Sequence, residues 1–167
     1  MKNNLEFDFS VDKENKTITV KREYAAALPL VWDAHTKTEI LEQWWAPKPW
    51  KARTGSMDFS NGGTWKYAMV GPNGEEHKAI AEFSNVKPQQ GYTASDAFAN
   101  ADGSINTDMP QAKWDVTFSP KGDNTLVHTV IHYNSVEDID AILAMGFKEG
   151  LTMGMEQLDE LLPTLKK

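Results

Sequence analysis

Two ionisable side chains fall in phase with apolar neighbours, and any chemistry inside the fold has to begin with them. Asp96 shares one side of an alternating segment with Tyr92 and Ala94, and Arg22 shares its side with Ile18 and Val20. A carboxylate aimed into an aromatic pocket has its pKa raised by desolvation unless something pairs with it. Arg22 is the candidate partner. The pair has three readings: a buried ion pair that specifies the core, a polar anchor for a ligand, or a general acid/base.

The other chemistry-bearing residues argue against more familiar sites. His128 and His132 lie on one segment rich in valine, isoleucine and threonine. Strand rise sets them roughly 13 Å apart, too far to share a zinc at about 2 Å per bond. His35 and His77 have no ligand-like neighbours in sequence. Asp102, Asn106 and Asp108 lack calcium-loop spacing and its terminal glutamate. There is no cysteine, no glycine-rich loop before a lysine, and no Gly-x-Ser-x-Gly elbow. No metal and no cofactor is expected.

The elements that must position Asp96 and Arg22 follow from periodicity. Residues 17–26 alternate as a half-buried first strand, after a polar extension over 1–16 that holds only Phe7 and Phe9 as large apolar residues. Two short helices are predicted over 29–36 and 38–45, the second with Thr38 as N-cap, before Pro47 and Pro49 stop helical structure. Six strands follow, over 52–59, 64–70, 76–86, 91–98, 111–118 and 125–133. Their boundaries include Ser60-Asn61-Gly62-Gly63 and Gly71-Pro72-Asn73-Gly74. Alternation groups Trp65, Tyr67 and Met69, then Ala79, Ala81 and Phe83, then Trp114, Val116 and Phe118 on one aromatic sheet face.

The stretch 135–167 reads as one long helix. Ser135 is its N-cap, Asp138 the acidic partner of a capping box, and Pro163 closes it near Leu162. Ile139, Leu143, Phe147, Leu151, Leu158 and Leu162 share its apolar side, with Glu156, Asp159 and Glu160 opposite. Gly146, Gly150 and Gly154 fall within the apolar side, where each costs about 1 kcal/mol relative to alanine. Either the helix packs closely or kinks there, or the missing side chains leave room for a ligand.

Composition bounds the function. With 24 acidic against 17 basic residues the net charge is −7, and the basic residues are scattered singly, so no nucleic-acid partner is expected. No run is long and apolar enough for a membrane span, and Met1-Lys2-Asn3-Asn4 lacks a signal peptide's apolar region; a cytoplasmic protein is expected.

The order strand, two short helices, six antiparallel strands, long helix resembles the START-like (SRPBCC), or helix-grip, superfamily. Val31-Trp32-Asp33-Ala34 with Thr36, Trp44-Trp45-Ala46-Pro47, Gly62-Gly63-Thr64-Trp65, the turn from Gly71 to Glu76, Ala101-Asp102-Gly103, and Gly146-Phe147-Lys148-Glu149-Gly150 look like the subfamily named after the activator of the heat-shock protein 90 ATPase. The resemblance covers roughly 17–163. It implies an α+β fold in which a curved seven-stranded antiparallel sheet grips the C-terminal helix, with an internal cavity for an apolar or amphipathic small molecule. The eukaryotic activator carries a separate N-terminal chaperone-binding domain for which this chain has no room, so chaperone stimulation is the weakest inheritance.

The expected arrangement is therefore a polar extension over 1–16 and one helix-grip domain over 17–167 that binds a small apolar or aromatic ligand. The candidate wall comprises Arg22, Trp65, Tyr67, Met69, Phe83, Tyr92, Asp96, Trp114 and Val116 of the sheet, with Gly146, Phe147, Gly150 and Gly154 of the helix. The alternatives are a cyclase- or hydrolase-type enzyme using the same cavity through Asp96 and Arg22, and a chaperone-related or homodimeric interaction module using an exposed corner of Trp44, Trp45 and Trp50. A ligand with a donor or cation is expected to gain if Asp96 is the anchor, and a carboxylate ligand if Arg22 is free.

Overall fold

Alternating segments bounded by glycine turns bury one face by pairing edge to edge and curling over a helix. The computed structural model describes residues 5–165; the polar start Met1-Lys2-Asn3-Asn4 and Lys166 and Lys167, where the helix is expected to end, lie outside them. The chain order is β1 (Phe7–Asp12), β2 (Thr17–Tyr24), α1 (Leu28–Thr36), α2 (Thr38–Leu41), β3 (Lys51–Met57), β4 (Thr64–Val70), β5 (Glu76–Lys87), β6 (Gly91–Phe98), β7 (Ala112–Lys121), β8 (Asn124–Tyr133), α3 (Val136–Ala144) and α4 (Phe147–Leu165). The strands form one antiparallel curved sheet in the order β1-β2-β8-β7-β6-β5-β4-β3. From β3 to β8 each strand lies beside the next, whereas β2 sits beyond β8. The α1–α2 connection therefore carries the chain from one side of the sheet to the other.

The sheet has eight strands rather than seven. Phe7, Phe9 and Val11 alternate with Asp8, Ser10 and Asp12, and β1 pairs with β2 over its whole length. The inward face runs across the strands as the alternation predicts. Ile18 lies opposite Ile131, Trp114 opposite Ala94, Phe83 opposite Ala94 from the other side, and Trp65 opposite Ala81. On this face α1 sets Trp32 edge-on to Phe118, at 5.1 Å between ring centroids, and to Tyr92, at 6.0 Å.

The C-terminal helix is divided. Gly146 has φ +89°, a left-handed conformation that ends α3 as a C′ glycine and turns the chain into α4. The Ser135 hydroxyl caps α3 by accepting the Asp138 N–H at 3.1 Å. Pro163 does not end α4, which runs on to Leu165. Leu162 is fully buried and Leu161 and Leu165 pack on the core beside it, so burial of the last turn outweighs the hydrogen bond that proline removes. Thr38 is the first residue of α2 rather than its cap; Lys37 holds the cap position and gives no side-chain hydrogen bond.

Candidate ligand cavity

The inward face is not filled evenly. Asp96 on β6 has Ala81 on one side and Ala112 on the other, and Ala79 pairs with Phe98 one row away. These short side chains leave a hollow in the sheet, and the α3–α4 turn spans it without filling it. The result is a cavity of about 280 Å³, near the lower end of the roughly 300–1,000 Å³ usual for ligand pockets. Tyr67, Met69, Asp96 and Trp114 form its sheet wall, with Trp45 and Pro47 from the segment after α2. Gly146, Phe147, Gly150 and Leu151 form its roof. His77 and Met145, both exposed and the latter at 54%, mark the opening to solvent.

The three helix glycines have three separate causes. Gly146 supplies a backbone conformation. An added Cβ at Gly150 would meet only the Pro47 ring, at 3.7 Å, so its missing side chain is open cavity. At Gly154 a Cβ would press on the Trp44 carbonyl oxygen at 3.1 Å. Gly154 is thus a close-packing residue and does not line the cavity.

The rest of the expected wall divides likewise. Trp65, Phe83, Tyr92 and Val116 line a space of only about 50 Å³ that shares Trp45, Tyr67, Asp96 and Trp114 with the larger cavity. Their rings mostly pack on one another: Trp65 stacks on Tyr67 at 3.8 Å and Tyr92 meets Phe83 at 5.9 Å. Nor is there an exposed tryptophan corner. Trp44 is buried and donates its indole N–H to the Ala34 carbonyl at 2.9 Å, Trp45 donates to the Tyr67 hydroxyl at 3.3 Å, and Trp50 is half-buried against His77.

Arg22 and Asp96 are not partners. β2 and β6 are separated by β8 and β7, and Arg22 stands in the row of Val127 and Phe118 whereas Asp96 stands in that of Ala112 and Tyr133, further along the strands. Arg22 pairs instead with Asp159 of α4, a residue the helical pattern assigns to the solvent side. Both are nearly enclosed, with side chains 11% and 8% exposed, and the Phe7 ring lies 5.0 Å from the guanidinium. The Nε of Arg22 has no hydrogen-bond partner among the described residues. This pair fastens β2 to α4, away from the large cavity.

Burial pushes the Asp96 carboxyl up to about 6, opposed in part by the indole N–H of Trp114 and the backbone N–H of Ala97. That indole N–H is buried and reaches no partner at full hydrogen-bond geometry, so the offset from Trp114 is an approach rather than a formed bond. A carboxyl with a raised folded-state pKa is preferentially neutral in the fold. Its effect is a loss of stability as pH rises from about 3.8 to about 6, persisting above. Asp96→Asn is accordingly expected to raise stability at pH 7, by on the order of 1 to 3 kcal/mol, and to flatten that fall. Urea unfolding at pH 4.5 and 7 reads both effects; a variant less stable than wild type at pH 7 would show that the charge is compensated.

His35 is a core-facing histidine, outside the lining of the 280 Å³ cavity, that its sequence context did not reveal. It projects from α1 and lines both that 50 Å³ space and a second of about 50 Å³ beside Arg22 and Tyr24, in edge contact with Trp44 at 5.0 Å and Phe118 at 5.1 Å. Its Nδ1 lies 2.8 Å from the Val31 carbonyl oxygen, which only accepts, so Nδ1 carries the proton and Nε2 is left as an acceptor. Burial pushes its pKa down to about 4. The available signal was its place one turn after Trp32. Among the described residues no group of three or more histidine or acidic side chains is placed to hold a metal, and no helix is long and apolar enough to cross a membrane.

A family model described as "Activator of Hsp90 ATPase homolog 1-like protein" matches residues 25–163. The crystal structure of protein Ms6760 from Mycobacterium smegmatis is 30% identical over 95% of this chain and 96% of its own, with a TM-score of 0.86. A solution structure of a protein from Arthrobacter aurescens is 25% identical over 94% and 91%, with a TM-score of 0.89. Protein NE0264 from Nitrosomonas europaea is 26% identical over 92% and 97%, with a TM-score of 0.79. No curated protein matches the chain.

Proposed function

Starting from the premise that the chain belongs to the Activator of Hsp90 ATPase homolog 1-like family, a branch of the START-like superfamily, we propose that it binds a small apolar or aromatic molecule between the sheet and the C-terminal helices. One observation carries this reading. A hollow of about 280 Å³ is kept open by alanines in the sheet and by Gly150 in a helix, at a position where a side chain would meet no backbone. An interior with no use for the space gains stability by filling it, since each buried CH₂ is worth about 0.8 kcal/mol.

The size of the hollow limits the affinity. A ligand burying about 300 Å² of apolar surface gains about 7 kcal/mol, and association costs at least about 4. Unanchored binding is then about millimolar or weaker, and one charge-assisted hydrogen bond worth about 1.5 to 3 kcal/mol brings it to the high micromolar range. Native mass spectrometry of freshly purified protein is expected to show a small-molecule adduct lost on denaturation. If the protein is isolated empty, calorimetry with 1-naphthylmethanol is expected to give a weak, saturable isotherm. Neither adduct nor saturable heat up to the solubility limit of the probe would sink the proposal.

A further inference from the structure

We propose that the preferred occupant of this cavity is an apolar or aromatic molecule carrying one protonated amine, with its ammonium against the Asp96 carboxylate and among the faces of Trp45, Tyr67, Trp114 and Phe147. The inference rests on the reading of the cavity as a ligand site and narrows the chemistry of that ligand.

The charge inventory comes first. Asp96 is the one carboxylate among the residues lining the cavity; no lysine or arginine lines it, and the basic group present, His77, stands at the exposed rim. No cation among the described residues contributes to the state of Asp96, whose only donors are the Ala97 backbone N–H and the incompletely engaged Trp114 indole. The structure thus holds a half-buried carboxylate without a countercharge, beside space. Arg22, which an anionic ligand would need, is committed to Asp159 away from this cavity.

The walls are suited to a cation as well. Trp45 and Trp114 lie 6.0 Å apart, Trp114 meets Phe147 edge-on at 6.0 Å, and the Trp45 N–H engages the Tyr67 hydroxyl. Aromatic faces around an ammonium supply cation–π attraction that strengthens where water is excluded. Ala81 and Ala112, flanking Asp96 in register, leave the carboxylate approachable from the cavity side. Tyr67 and Tyr133 are held neutral by burial and by the Asp96 charge, so neither places a second anion beside it. A fatty acid or aromatic carboxylate would meet like charge.

Calorimetry with 1-naphthylmethylamine, 1-naphthylmethanol and 1-naphthoate at about pH 7.5 tests the inference on matched shapes. The amine is expected to bind about tenfold or more tighter than the alcohol, with the carboxylate weakest. In Asp96→Asn the ratio of amine to alcohol affinity should collapse toward one. Should that variant misfold, the wild-type protein still answers: amine affinity falls several-fold between about pH 7.5 and 5 as Asp96 takes up a proton, while alcohol affinity does not. Because His77 lines the same cavity, the fall must persist in His77→Gln. Amine and alcohol affinities within about twofold, a tighter carboxylate, or a pH dependence lost in His77→Gln overturns the cation preference and leaves the cavity reading standing on the alcohol. Failure of all three probes to bind overturns both.

Discussion

Arg22→Met and Asp159→Leu are each expected to destabilise the protein by about 3 to 5 kcal/mol, and the double variant by much less than their sum. The reason is the enclosure of the pair. With side chains 11% and 8% exposed, removal of either partner strands a charge that water cannot reach well. Arg22 also lies under the Phe7 ring and 5.8 Å from the Tyr24 ring, so methionine keeps part of the packing while losing the charge. The double variant replaces the pair with apolar groups between β2 and α4, an exchange that is often neutral or favourable. Urea unfolding of the four proteins at constant m-value gives the coupling energy. Additive losses would mean that the ion pair contributes nothing beyond the separate side chains.

The expectation that Arg22 pairs with Asp96 failed for a reason that shows what periodicity encodes. Alternation placed both residues on the inward face, and both are there. It says nothing about which strands are neighbours. The α1–α2 crossover sets β2 beyond β8, with two strands between it and β6, and that order follows from packing over the whole sheet. Asp159 was missed for a related reason. It lies four residues after Met155 and three before Leu162, both buried, so it flanks the packed stripe rather than opposing it; among Glu156 and Glu160 it looked like one more solvated acid.

What the sequence made most legible was the strands. Turn pairs such as Asn61-Gly62 and Asn73-Gly74 bound segments whose alternation carries through β4 and is interrupted in β3 and β5 only by register shifts between Thr54 and Ser56 and between Ser84 and Lys87, with Gly62 at φ +84° and Gly74 at φ +88° in the left-handed region those turns need. The short β1 carried its signal in Phe7, Phe9 and Val11, but it is an edge strand with Phe7 and Val11 each 39% exposed, too polar overall to stand out. In the cavity the large residues misled and the small ones informed. Trp65, Phe83 and Tyr92 mostly fill space, whereas Ala79, Ala112 and Gly150 withhold it.

Gly150→Leu is expected to abolish binding of small aromatic probes with little or no loss of stability, a combination that separates a ligand cavity from a packing fault. Its Cβ has only the Pro47 ring nearby, at 3.7 Å, so the isobutyl group extends into the cavity without forcing the backbone. There it removes the volume a probe needs. Leucine also favours the helix over glycine by roughly 0.5 to 1 kcal/mol and gains up to about 3 kcal/mol where its side chain is buried. Gly154→Ala supplies the contrast. Its Cβ would sit 3.1 Å from the Trp44 carbonyl oxygen, which Gln157 Nε2 already holds at 3.1 Å, so the carbonyl has little freedom to retreat. A single methyl there is expected to cost about 1 to 3 kcal/mol through overpacking despite the gain in helix propensity. Calorimetric binding and urea midpoints measured on both variants give opposite patterns: Gly150 acts on binding, Gly154 on stability. Wild-type probe affinity in a folded Gly150→Leu protein would place the binding site outside this cavity.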